Sequence, residues 1–279
     1  MLNTLYEKKG TTGRSVLTPA LRRFYGGGLV FPNVSDRAYV VGNFVQGVDG
    51  PVTFGKGNKN LLFGCREDRL VMSILRALAD AVIVGKETLL DDPPGATWHW
   101  KTTTPEGEAS TLREFARHVG KRETQKNVFV SATGAGFDFS RSVFHDSDVQ
   151  AVIATTTGGA NRLKKDIEGL SVLPRVAIWS LDDASGGVDL KGLIAKLWQG
   201  GSRFVLIEGG PALYGSFEAE NLLDELFLTQ RPMIVGNGKD APRPTVSGFS
   251  HREGKLTELV SIKKGVDDVL FFRHRYSRK

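Results

Sequence analysis

A single cysteine, Cys65, stands in a chain of 279 residues. It has no partner for an internal disulfide, it excludes a multi-cysteine zinc site, and it points to a reducing compartment. No run reaches the roughly 18 consecutive apolar residues of a membrane helix. The first thirty residues, MLNTLYEKKGTTGRSVLTPALRRFYGGGLV, lack the apolar core of a signal peptide, so a cytoplasmic protein is expected. Internal repeats, low-complexity tracts and domain-splitting linkers are absent too, and no metal centre is expected.

What is present is enough to fold. Hydrophobic residues make up 40% of the chain, which suffices for a substantial core. The net charge of +6 invites a nucleic-acid reading, but lysine and arginine are scattered. The densest basic group, RHRYSRK at 273–279, is short, and aromatic residues do not interleave with it as a stacking groove requires. A mild positive bias suits anionic small molecules such as phosphorylated metabolites and dinucleotides. A small-molecule partner is expected, with no nucleic acid and no membrane.

Strand-like runs alternate with helical ones. AYVVGNFVQ (38–46), AVIVG (81–85), NVFVS (127–131), QAVIATT (150–156), RVAIWS (175–180), RFVLIE (203–208) and ELFLTQ (225–230) are near-continuous apolar runs. Such runs are expected where both faces of a sheet are covered. Between them, EDRLVMSILRALA (67–79) sets Leu70, Ile74 and Leu78 on one helical stripe with Arg76 off it, where arginine is usually solvated. DLKGLIAKLW (189–198) repeats the pattern with Leu190, Leu193, Ile194 and Leu197. The alternation predicts an α/β fold with a mostly parallel central sheet flanked by helices. LTELVSIKKGVDDVLFFRHR (256–275) adds a C-terminal antiparallel hairpin around Lys264-Gly265, which would cover a sheet edge and make a dimer contact. DDPPGATWHWKTTTPEGEAS (91–110) reads as a long loop, functional or mobile. Residues 1–36 are taken as an extension to a single domain over 37–279.

Three stretches carry possible chemistry. In RFVLIEGGPALYGSF (203–217), Glu208-Gly209-Gly210-Pro211 joins a buried strand to a helix. The glycines permit unusual backbone angles and close ligand approach, and Pro211 suits a first helical position. The free amides that follow are a seat for phosphate, although a tight turn with no ligand explains the same residues. Glu208 closes a strand at the sheet edge where α/β ligand crevices lie, and a sugar hydroxyl would suit it. In NFVQGVDGPVTFGKGN (43–58), Asp49-Gly50 either simply turns the chain or supplies a carboxylate to a ligand, while Gly55, Lys56 and Gly57 extend a covering loop. In LRALADAVIVGKETLLDDP (75–93), Arg76 precedes a short strand ending at Gly85, and Thr88, Asp91 and Asp92 follow it.

Taken in order, Asp49-Gly50, then LRALADAVIVGKET, then IEGGPALYGSF and LLDELFLTQRPMIVGNG resemble the reductase domain of riboflavin biosynthesis. The resemblance runs from about Tyr39 to Gly238, and FYGGGLVFP (24–32) looks like a stand-alone subgroup of pyrimidine-reductase-like proteins. It implies a dihydrofolate-reductase-like fold in a homodimer. The implied activity is NADPH-dependent reduction of a ribosylamino-pyrimidinone 5′-phosphate to its ribitylamino form. A reductase of the same architecture acting on another heterocycle, dihydrofolate included, and a dinucleotide-binding protein without turnover are the alternatives. The resemblance assigns Val45, Gly85, Thr88, Asp91, Gly209, Gly210, Pro211, Ala212, Leu213 and Tyr214 to the cofactor. It assigns Arg76, Glu208 and Asn60 to the substrate. Glu208 and Asp49 are the candidates for holding sugar hydroxyls or relaying a proton. The chain departs from the family on the substrate side, at Gly47-Val48, at Leu62 and after Asp92, where the usual basic residue is missing. Lys56, Lys59 and Lys101 are the cations available to replace it. The pathway's deaminase zinc signature is absent, so only the reduction is expected. Thr156 or Arg162 in TTTGGANR (155–162) would meet a 2′-phosphate, unless the segment is a plain turn.

Overall fold

The computed structural model describes residues 1–9, 13–52, 65–121, 124–168, 176–236, 247–248, 250–251 and 254–277. Seven strands run parallel: β2 (Tyr39–Gly47), β3 (Ala81–Gly85), β4 (Gln125–Val130), β5 (Val149–Thr155), β6 (Val176–Ser180), β7 (Phe204–Ile207) and β8 (Glu225–Arg231). Three antiparallel strands join them, namely β1 (Asn3–Glu7), β9 (Thr257–Lys264) and β10 (Leu270–Tyr276). All ten form one sheet in the order β1-β9-β10-β8-β2-β7-β3-β4-β5-β6.

Side chains alternate between two buried faces. On β7, Phe204 and Leu206 enter one core while Val205 and Ile207 enter the other; β2 splits Tyr39 and Val41 from Val40 and Phe44 in the same way. That is why these strands read as unbroken apolar runs. The first face is covered by α1 (Pro19–Tyr25), α2 (Arg66–Leu78) and α5 (Ala109–His118) through Leu21, Leu70, Ile74, Leu112 and Phe115. The second is covered by α7 (Leu190–Gln199) and α8 (Pro211–Ala219) through Leu193, Leu197, Tyr214 and Phe217. Asp189 caps α7 by accepting the Gly192 amide at 2.8 Å. No helix among the described residues is long and apolar enough to cross a membrane.

Three expectations are corrected here. The hairpin is present, but it is not the sheet edge: β10 pairs with β8, and the outer side of β9 is paired with β1. The edge therefore comes from the first residues of the chain, whose Leu2, Leu17, Leu21, Tyr25 and Leu29 lie in the main core. Segment 91–110 is not an open loop, because Trp98, His99 and Trp100 are buried and the short helix α4 (Trp100–Thr103) packs on α2. Thr156, considered for a 2′-phosphate, instead caps α6 (Thr157–Asp166), accepting the Gly159 amide at 3.1 Å and donating to the Ala132 carbonyl at 2.7 Å.

Gly42, mid-β2, has no room for a side chain. A Cβ there would lie 2.4 Å from Cε2 of the fully buried Tyr214. Gly42→Ala is expected to cost about 1–3 kcal/mol by overpacking, read as a lower urea midpoint with an unchanged m-value.

Candidate active site

Over the carboxyl ends of β2, β7 and β3 lies a cleft of about 880 Å³ of empty space out to its mouth. This is where open α/β sheets hold ligands. Asn43, Phe44 and Val45 come from β2, and Glu208 to Pro211 follow β7. Thr88, Asp91 and Asp92 come from α3 (Lys86–Asp91) and its C-cap, and Asp68, Met72 and Arg76 from α2. Trp98 closes one side.

Glu208 continues the β7 alternation onto the α2 face, where Arg76 meets it. The Arg76 Nε donates to both carboxylate oxygens at 3.0 and 2.9 Å, and one terminal nitrogen donates at 2.5 Å. Both side chains are buried, at 7% and 4% exposure, so the pair is shielded from water. The expected solvated arginine is therefore a buried partner of the predicted acid. The cause is a second stripe on α2: Asp68, Met72 and Arg76 follow at intervals of four beside the apolar one and face the cleft. Two further acids share this space. Burial pushes the Asp68 carboxyl up to about 6, with Glu208 adding to the rise and Thr229 and Arg231 opposing it. Burial also raises Asp92, against the pull of Arg76.

Beyond the shared residues Thr88, Gly210 and Pro211, the cleft continues as a groove lined by Gly85, Lys86, Ser131, Ala212 and Leu213. The first turn of α8 opens between the two. Its N-cap, Gly210, has no side chain to satisfy the amides that follow, and the Tyr214 amide is the one returning to the Gly210 carbonyl at 3.0 Å. Gly209 has φ +113°, a backbone region that favours glycine, and a Cβ there would point at Phe44 and Thr88, each 3.8 Å away. The Gly209–Gly210 peptide is cis.

The residues expected from sequence divide as follows. Val45, Arg76, Thr88, Asp91, Glu208, Gly209, Gly210 and Pro211 line the cleft, and Gly85, Ala212 and Leu213 line the groove. Tyr214 does not reach either: its ring is fully buried and its hydroxyl is 2.9 Å from that of Tyr276. Asp49 is a clasp between loops, accepting the amides of Val235 at 3.1 Å and Gly236 at 2.6 Å. Those amides hold its carboxyl below the usual range, and it is not among the cleft-lining residues. Lys101 is paired with Asp148 at 2.5 Å, away from the cleft. Asn60, Lys56, Lys59, Gly55, Gly57 and Leu62 lie outside the described residues. Asp68, Met72 and Trp98 were not anticipated from sequence. The i, i+4, i+8 spacing of Asp68, Met72 and Arg76 is the signal that identifies the first two.

His99, beside this wall, is 3% exposed, and its Nδ1 accepts the Lys101 amide at 3.3 Å. Burial lowers its pKa to about 4. The folded state holds the ring neutral, so its contribution is intact above about 6.5 and is lost as pH falls toward 4. Stability is expected to drop by on the order of 2–3 kcal/mol across that window, and His99→Gln to flatten the drop in urea titrations at pH 7 and pH 4.5.

An acid-lined cleft beside an uncapped helix start, on a mostly parallel sheet extended by an antiparallel hairpin and the edge strand β1, defines a domain of the dihydrofolate-reductase-like class. The chain belongs to the RibD C-terminal domain family, whose model matches residues 38–271. It is similar to the 2,5-diamino-6-ribosylamino-4(3H)-pyrimidinone 5′-phosphate reductase of Archaeoglobus fulgidus, 26% identical over 206 residues, covering 74% of this chain and 85% of that protein. The protein of the same name from Aquifex aeolicus is 25% identical over 231 residues, covering 82% of this chain and 90% of its own length. A solved pyrimidine reductase-like protein from Corynebacterium diphtheriae superposes with a TM-score of 0.67 at 22% identity, over 87% of this chain and 93% of that one. That last likeness speaks for the fold. The curated relatives are reductases, and the chain is an oxidoreductase.

Proposed function

We propose that the protein is an NADPH-dependent reductase converting 2,5-diamino-6-ribosylamino-4(3H)-pyrimidinone 5′-phosphate to its ribitylamino form. The observation that carries the reading is the convergence, on one cleft, of the uncapped α8 start and the buried Arg76–Glu208 pair. The dinucleotide fits the residues present. The amides of Ala212 and Leu213 are donors for its pyrophosphate, and Gly209 and Gly210 keep the approach free of side chains. Phe44, Val45 and Thr88 border the floor on which a flat ring would rest.

When bound, the nicotinamide supplies a hydride. The chain's own residues position the sugar and keep water out. Glu208, fixed by Arg76, presents oxygen lone pairs to ribose hydroxyls, and Trp98 and Met72 shield the space beside it. A homodimer belongs to the same proposal. The β1 edge with Leu5 at 59% and Tyr6 at 42% exposure is a surface that a second copy would cover.

A second reading, a reductase of the same fold for a different heterocycle, draws on one observation. Arg76 is the only lysine or arginine among the described residues lining the cleft, and Glu208 already engages it, so none of the described cations there is left for a substrate phosphate.

Thermal shift tests the cofactor: NADPH should raise the melting point more than NADH, since a ligand stabilises only the state that binds it. Loss of nicotinamide absorbance on adding the pyrimidinone phosphate, but not dihydrofolate, tests the substrate. Turnover of dihydrofolate alone would transfer the assignment to the second reading. Sedimentation at micromolar concentration tests the dimer.

A further inference from the structure

Reducing a ribosylamine needs more than a hydride. The furanose must open first, and the oxygen that leaves C1′ needs a proton. Glu208 is poorly suited to give it, because Arg76 donates to both of its oxygens and leaves it an acceptor. Asp68 stands in the same cleft, 7% exposed, on the helical stripe that also carries Met72 and Arg76. Its own amide is spent on the Cys65 Sγ at 3.2 Å, which fixes the first turn of α2 and with it the carboxyl. The groups around it are Glu208 beyond β7, Thr229 and Arg231 on β8, Asp92 at the end of α3, and Cys65, Glu67 and Arg76 on α2 and its cap.

We infer that Asp68 is the acid that opens the sugar, an assignment that rests on the reductase reading above. The C1′–O4′ bond breaks with its electron pair going to O4′, which takes the Asp68 proton. The exocyclic nitrogen's lone pair closes a C1′=N bond. C1′ would then accept the hydride that a bound reduced nicotinamide supplies, and the C=N π pair would return to nitrogen, leaving the amine. Asp68, now a carboxylate, is reprotonated from solvent. The proton is available because burial among neighbours that include Glu208 favours the neutral carboxyl up to about pH 6. The same environment costs stability once the group ionises.

Asp68→Asn keeps the shape and removes the proton. In the full chain it is expected to lower kcat about 100-fold or more, with the NADPH Kd changed less than threefold. The wild-type fall in kcat toward alkaline pH should vanish, and Asp68→Glu should restore part of the rate. A second readout does not need turnover. The native carboxyl's raised pKa stabilises the fold below about 4, and that contribution is lost as pH rises through about 6. The melting point of Asp68→Asn should therefore gain on wild type between pH 5 and pH 8. Equal kcat in the two proteins, or an alkaline limb that survives in Asp68→Asn and disappears in Asp92→Asn, would overturn the assignment alone. A wild-type protein that binds NADPH yet oxidises none with the pyrimidinone phosphate would overturn the reductase reading and this step with it.

Discussion

Arg76→Met is expected to destabilise the protein by about 3–5 kcal/mol, the usual consequence of leaving one partner of a buried ion pair alone. Glu208 would then sit at 4% exposure with no countercharge, in a cleft already holding Asp68 and Asp92. It must take up a proton or draw in water, and either event disturbs the wall that Arg76 also ties to the Thr97 carbonyl. Urea unfolding at pH 7 reads the loss. The companion variant Arg76→Met/Glu208→Leu separates stability from function. Replacing both charges by apolar groups should recover most of the stability, since desolvating a charge pair costs about as much as the pair returns. It should recover no NADPH oxidation, because the oxygen acceptors for the sugar are gone. A single variant within about 1 kcal/mol of wild type would mean that the pair is hydrated and not shielded.

That pair also marks the limit of what the sequence reveals. Arg76 and Glu208 are 132 residues apart, and each taken alone has an ordinary explanation. Local signals place them on α2 and at the end of β7, and the family resemblance assigns both to the substrate, but that they bond to each other emerges only from the packing of α2 across the sheet. The strands were legible because both faces are covered, so an unbroken apolar run has one interpretation in an alternating chain. The Gly209-Gly210-Pro211 turn was legible because few other residues permit that junction. Tyr214 was misassigned by adjacency: three residues past Pro211, the helix has rotated it away from the opening and into the space left by Gly42. Asp49-Gly50 does turn the chain, the Gly50 amide donating to the Gly47 carbonyl at 3.1 Å, but the Asp49 carboxylate is taken by the amides of Val235 and Gly236, which no local signal announces. The edge strand β1 had no signature, since all five of its residues are exposed and the strand it pairs with, β9, lies at the far end of the chain.

Ala212→Glu should move fold and binding in opposite directions. Ala212 is exposed in the first turn of α8 and lines the groove. A carboxylate there faces the positive end of the helix dipole and is expected to stabilise the free protein by about 0.3–1 kcal/mol. The same charge would stand beside the seat proposed for a pyrophosphate. Two unit charges about 4 Å apart near a protein surface repel by roughly 4 kcal/mol at most, and solvent screening reduces this. The expected result is an NADPH affinity weaker by about 10- to 100-fold, recovering in part at 0.5 M salt, with an unchanged or higher melting point in the absence of ligand. Calorimetric titration with NADPH at two ionic strengths measures the first effect, and a melting curve without ligand the second. Unaltered affinity with the melting point raised would show that the helix start is intact but that the phosphates lie elsewhere. Ser216→Glu, one turn further along the same groove, is the control. Being farther from the uncapped amides, it should weaken binding less, so the ratio of the two losses locates the anion along α8.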